Sequence, residues 1–81
     1  MKFSMRPPTL QMIEKLKECY EKEMITNEPS LAEEMKSSLP GLYKRGLIET
    51  RLETIKNKKL LCIYVTDLGK RFLADLEEHE N

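Results

Sequence analysis

Between Lys36 and Lys59 the chain carries seven basic residues: Lys36, Lys44, Arg45, Arg51, Lys56, Lys58 and Lys59. Only Glu49 and Glu53 oppose them. Cations gathered without matching carboxylates can neutralise a polyanion. From Asp67 onward the balance reverses, with Lys70 and Arg71 against Asp67, Asp75, Glu77, Glu78 and Glu80. The formal net charge is zero, so any attraction for a polyanion comes from this asymmetry and not from the total.

Other chemistry finds little material. The one histidine, His79, sits in the acidic tail, and Cys19 and Cys62 stand far apart. A zinc site needs about four ligands, and these residues do not assemble one. The two cysteines are read as reduced thiols that pack as small apolar residues, and a disulfide between them is disfavoured in a cytosolic chain. There is no glycine-rich phosphate loop and no nucleophile paired with a base. Glu33 and Glu34 are adjacent on one short helix and point apart, so they form no acid pair. No enzyme, catalytic residue, metal or cofactor is expected.

These side chains must be positioned by a small domain. The 81 residues are 40% hydrophobic and 35% charged. That is too apolar for a disordered chain and enough for one modest core. A single domain over residues 1–81 is expected, with an ordered core over about 8–77. No apolar run approaches the ~20 residues of a membrane span. The first ten residues, MKFSMRPPTL, hold no signal-peptide core. Both points suggest a cytoplasmic protein with no membrane partner.

The periodicity predicts helix 1 over 8–24, started by Pro7 and Pro8 or capped by Thr9. Leu10, Ile13, Leu16, Lys17, Tyr20 and Met24 follow helical spacing, and Met12 and Cys19 widen the stripe. Ile25 and Thr26 are β-branched and suit a very short strand. Ser30 followed by Glu33 fits a capping box for helix 2 over 31–35. Ser37, Ser38 and Pro40 signal a further start, and Gly46 a stop, for helix 3 over 39–45. The period then becomes two. Ile48, Thr50, Leu52 and Thr54 share one face, and Glu49, Arg51, Glu53 and Ile55 the other. The polar turn 56–59 and the β-rich run 60–66 complete a hairpin. Thr66 or Asp67 caps a last helix, whose stripe is Leu68, Phe72, Leu73 and Leu76. Gly69 weakens that helix by ~1 kcal/mol relative to alanine, unless close packing requires it.

The run Leu42-Tyr43-Lys44-Arg45-Gly46-Leu47-Ile48-Glu49 resembles the end of the recognition helix in winged-helix DNA-binding domains. Tyr64-Val65-Thr66-Asp67-Leu68-Gly69-Lys70-Arg71-Phe72-Leu73 is similar to the step from strand into helix in the same family. The likeness covers about residues 10–76. It implies an α+β fold: a winged helix-turn-helix with a three-helix core, a two-stranded β-hairpin wing and a C-terminal helix. It also implies a small DNA-binding transcriptional regulator, with helix 3 in the major groove and the wing on the phosphate backbone. The implied contacts to double-stranded DNA are Ser37, Ser38, Tyr43, Lys44, Arg45, Arg51, Lys56, Asn57, Lys58 and Lys59. Helix 1 and the C-terminal helix are the implied homodimer elements, and no small-molecule ligand is indicated.

A second reading stands beside this one. Winged-helix domains also serve as protein-interaction modules, and a fold does not fix a function. That reading expects an exposed apolar patch on Leu52, Ile55, Leu60 or Tyr64.

Overall fold

The computed structural model describes residues 6–80, with side chains over 6–78. The chain runs α1 (Leu10–Thr26), β1 (Ser30–Leu31), α2 (Ala32–Met35), α3 (Ser38–Lys44), β2 (Ile48–Ile55), β3 (Lys58–Val65) and α4 (Asp67–Glu80). This is an α+β arrangement of four helices and one three-stranded antiparallel sheet, in the order β1-β3-β2.

Helix α1 starts where Thr9 accepts the Met12 N–H on its hydroxyl at 3.2 Å, which satisfies a donor with no intrahelical partner. It does not stop at Met24. Ile25 and Thr26 form its last turn rather than a strand, and Asn27 ends it at φ 59. Thr26 keeps its hydroxyl on the Lys22 carbonyl at 2.7 Å, a bond that holds a β-branched residue in helix. The buried face is also rotated from the expected stripe. Leu16 and Cys19 are buried with Met12 and Tyr20 beside them, while Leu10 and Met24 are exposed. Spacing alone did not separate these neighbouring faces, because both carry apolar residues.

Ser30 is not the N-cap of α2. It is buried in β1 and pairs with Ile63, while Leu31 pairs with Cys62. The hairpin therefore gains a short third strand. The cap shifts by one residue, and Glu34, not Glu33, accepts the Leu31 N–H at 3.4 Å. Helix α2 is a single turn that buries Met35. Lys36 ends it at φ 52, ψ −130, and Ser37 follows at φ −73, ψ −11. Those angles are close to a type II′ turn, whose first central position favours glycine. Helix α3 opens at Ser38, one residue before the expected start. It closes at Arg45, and Gly46 takes φ 75 as its sequence position predicts.

Strands β2 and β3 pair without interruption from Ile48↔Val65 to Ile55↔Lys58. The turn is only Lys56-Asn57, both at positive φ (52 and 66), which is the type I′ arrangement. Lys58 and Lys59 thus belong to β3, and Thr66 lies outside it. The base of the hairpin supplies its share of the core. Ile48, Ile63 and Val65 join Leu16, Met35, Leu42, Leu47 and Leu73 in the core. The outer half projects, and the molecule measures 42 × 28 × 21 Å. In α4, Leu73 is buried and Phe72 and Leu76 pack against the core, but Leu68 is exposed. No helix among the described residues is long and apolar enough to cross a membrane.

Candidate nucleic-acid interface

The end of α3 and the base of the hairpin are locked together through Thr66. Its N–H donates to the Leu47 carbonyl at 3.1 Å. Its hydroxyl donates to the Gly46 carbonyl at 2.6 Å and accepts the Gly69 N–H at 3.0 Å. Leu47 in turn donates to the Leu42 carbonyl at 3.1 Å. The threonine caps α4 and pins the glycine turn in one step. Gly69 is required here: a Cβ at that position would overlap the Leu47 carbonyl oxygen and approach Val65 Cγ1 to 2.8 Å. Close packing explains a glycine inside a helix that propensity alone disfavours.

Around this lock the sequence-derived candidates divide. Tyr43 (57% exposed), Lys44 and Ser37 present themselves to solvent on or beside α3. Ser38 does not. It is 1% exposed, so it offers no surface to a ligand. Arg45 is turned back onto the chain. Its Nε and a terminal nitrogen donate to the Arg6 carbonyl at 3.0 and 2.7 Å, and its other terminal nitrogen to the Gly41 carbonyl at 2.9 Å. The fork geometry of guanidinium suits such bracing, and it leaves Arg45 as a clasp between the N-terminal segment and α3.

Arg51 is also engaged. It meets Glu49 at 2.7 Å and lies 4.6 Å over the Tyr64 ring. The Tyr64 hydroxyl donates to Glu53 at 2.6 Å. This hydrogen bond to a carboxylate, helped by partial burial, pushes the Tyr64 phenol up to about 12. Cys62, on the same sheet face as these groups, is buried, and burial followed by the Glu53 carboxylate raises its thiol. Cys19 is raised chiefly by burial, and its thiol contacts the Met35 sulfur at 3.1 Å. Both cysteines are free. Thiols held protonated are poor nucleophiles and poor metal ligands.

The hairpin tip differs. Lys56, Asn57, Lys58 and Lys59 are all exposed. Among the described residues none of Lys36, Lys44, Lys56, Lys58 and Lys59 forms an ion pair, whereas Lys15, Lys22 and Arg51 do. Lys36, part of the basic stretch but not among the contacts that the sequence implies, joins the exposed cations from its place at the α2–α3 turn. A shallow depression between α2 and β3 is lined by Leu31, Ala32, Glu33, Lys59, Leu60 and Leu61, and no cluster of metal-ligating residues occurs among the described residues.

The expected apolar patch is present in altered form. Leu52 (66%) and Ile55 are exposed while Leu60 and Tyr64 are half-buried. Leu61, 41% exposed and directly opposite Leu52, takes their place. Strand alternation puts Leu61 on the Leu52 face and Leu60 on the Glu53 face. Comparison with protein-family models, curated proteins and solved structures gives no match to this chain.

Proposed function

We propose that the chain is a winged-helix domain that binds double-stranded DNA as a small regulator. In this reading α3 faces the major groove and the hairpin tip rests on the phosphate backbone. The phosphate contacts are Lys44, Lys56, Lys58 and Lys59, with Lys36 beside them, and Ser37 and Tyr43 face the bases. Arg45 and Arg51 keep their internal partners and act as positioning residues.

The observation that carries the reading is the hairpin tip. Lys56 sits at φ 52 in a type I′ turn, where asparagine or glycine is the favoured residue. Lysine there stores local strain and holds a cation at the end of a projecting arm. Lys58 and Lys59 stand next to it without carboxylate partners among the described residues. Three exposed lysines on one projecting arm, none in an ion pair among the described residues, are what support a phosphate contact there.

An amide-shift titration with a mixed-sequence duplex, at low and moderate salt, tests the proposal. Shifts should gather at Lys36 to Gly46 and Lys56 to Lys59 and fade as salt rises. Absence of shifts at low salt would overturn it. The exposed Leu52 and Leu61 favour the protein-interaction reading as the second choice.

A further inference from the structure

Among the described residues the outer edge of β2 is unpaired. The sheet order is β1-β3-β2, so β3 is paired on both sides at Cys62 and Ile63 while β2 has a described neighbour on one side only. The edge is eight residues long, has no proline, and keeps continuous register with β3. Natural edges of this length are usually blunted by a bulge, a proline or charged side chains; the charges on this edge, Glu49, Arg51 and Glu53, are of mixed sign and can pair with those of a like strand. On the core-side face this one presents Ile48, Thr50, Leu52 and Thr54.

The ladder fixes which backbone groups point outward. Val65 donates its N–H to Glu23 at 2.9 Å, and Thr66 donates to Leu47 on the β2 side. Val65 therefore points away from β2, and its partner Ile48 points away from β3. By alternation, Thr50, Leu52 and Thr54 also direct their N–H and C=O groups to the open side.

We propose that this edge pairs with the same edge of a second copy, antiparallel about a two-fold axis through Leu52. An isologous contact requires a self-complementary strand, and β2 is one. Outward-pointing residues must face each other, so only two registers use the full strand, centred on Arg51 or on Leu52. The Arg51 register sets Arg51 opposite the partner's Arg51 and Glu49 opposite the partner's Glu53. The Leu52 register sets Arg51 opposite the partner's Glu53, and Glu53 opposite the partner's Arg51. Charge selects the second. Arg51 can keep Glu49 as well, since guanidinium has five donors.

The apolar residues agree with this choice. On the opposite face Leu52 meets the partner's Leu52, and each is flanked by Leu61 of its own hairpin. Four leucines then cross the joined sheet in a strip of roughly 14 Å at the usual strand spacing. The two lysine tips lie at opposite ends of the joined sheet, so like charges stay apart. The edge proposed here is separate from the helices α1 and α4, and the inference does not depend on DNA binding.

Sedimentation equilibrium from micromolar to millimolar protein, with amide hydrogen exchange at both ends of that range, tests the pairing. A dimer is expected. Its Thr50, Leu52 and Thr54 amides should become protected as concentration rises, while Arg51 and Glu53, already bonded to β3, stay protected throughout. L52K, at an exposed site, should leave the circular dichroism unchanged and weaken association by roughly tenfold or more. R51E should also weaken it, and the swap R51E/E53R should restore it. A monomer at every concentration overturns the proposal. So does a dimer whose Leu52 amide exchanges as freely as in the dilute protein, or a charge swap that restores nothing.

Discussion

The hydroxyl of Thr66 donates to the carbonyl of Gly46 across 2.6 Å, joining the end of one helix to the start of another twenty positions along. The same oxygen accepts the Gly69 N–H. Replacing Thr66 by valine keeps the shape and removes both bonds. Each such bond contributes about 1 kcal/mol, so T66V should cost about 2 kcal/mol in urea unfolding. Serine should restore most of it.

Two glycines beside that contact should respond differently to alanine. Gly46 needs its φ of 75, but a Cβ there meets nothing closer than Leu68 Cδ2 at 3.7 Å. G46A should cost about 1 kcal/mol, the penalty of the left-handed region. Gly69 has ordinary helical surroundings in which alanine is normally an improvement. Its Cβ would instead overlap the Leu47 carbonyl. G69A should therefore destabilise by roughly 2 kcal/mol through forced backbone shifts. Thermal unfolding of the two variants side by side gives the order.

Local signals carried much of this architecture. Gly46, the alternation through Ile48 to Ile55, and a cap at Thr66 or Asp67 each act within a few residues, so they are legible in the sequence; the hydrogen bond from Gly69 N–H then picks Thr66. Strand β1 was not. Ser30 and Leu31 are strand only because Ile63 and Cys62 stand beside them, a long-range pairing that overrides a good capping signal. The same limit applies to the candidate site. A serine and an arginine near a helix end look available in sequence, yet Ser38 is buried, and Arg45 is held by a carbonyl 39 positions away.

Tyr64 should titrate late. Its phenol is pushed from 10.0 to about 12, first by its hydrogen bond to Glu53. A raised phenol pKa means the native state holds the proton more tightly than the unfolded chain. The stabilisation is therefore complete below pH 10 and disappears as pH rises towards 12. Ring-carbon shifts followed against pH should show this midpoint. E53Q, which removes the charged acceptor, should move Tyr64 back towards its ordinary value and flatten stability over the same window.

Lys36 occupies φ 52, ψ −130 between α2 and α3, a conformation that side chains resist. K36G should relieve that strain and stabilise the fold by about 1 kcal/mol, less the backbone entropy that glycine adds to the unfolded state. The gain should appear as a higher midpoint in urea with an unchanged slope. A loss of stability would show that the lysine side chain makes a compensating contact.

The proposed DNA contact makes the hairpin tip a place where stability and binding oppose each other. K56N/N57G installs the favoured type I′ pair and removes one cation. It should raise stability by about 1 kcal/mol while weakening duplex binding. K58E/K59E lies in β3 with both side chains exposed, so the fold should tolerate it. If both lysines touch phosphates, the dependence of log affinity on log salt should lose about one unit of slope per lysine. Fluorescence anisotropy with one duplex across a salt series measures this. An unchanged slope in K58E/K59E would place the polyanion contact away from the hairpin; R45A should change the slope less than K58E/K59E does, because the Arg45 guanidinium is turned back onto the Arg6 and Gly41 carbonyls.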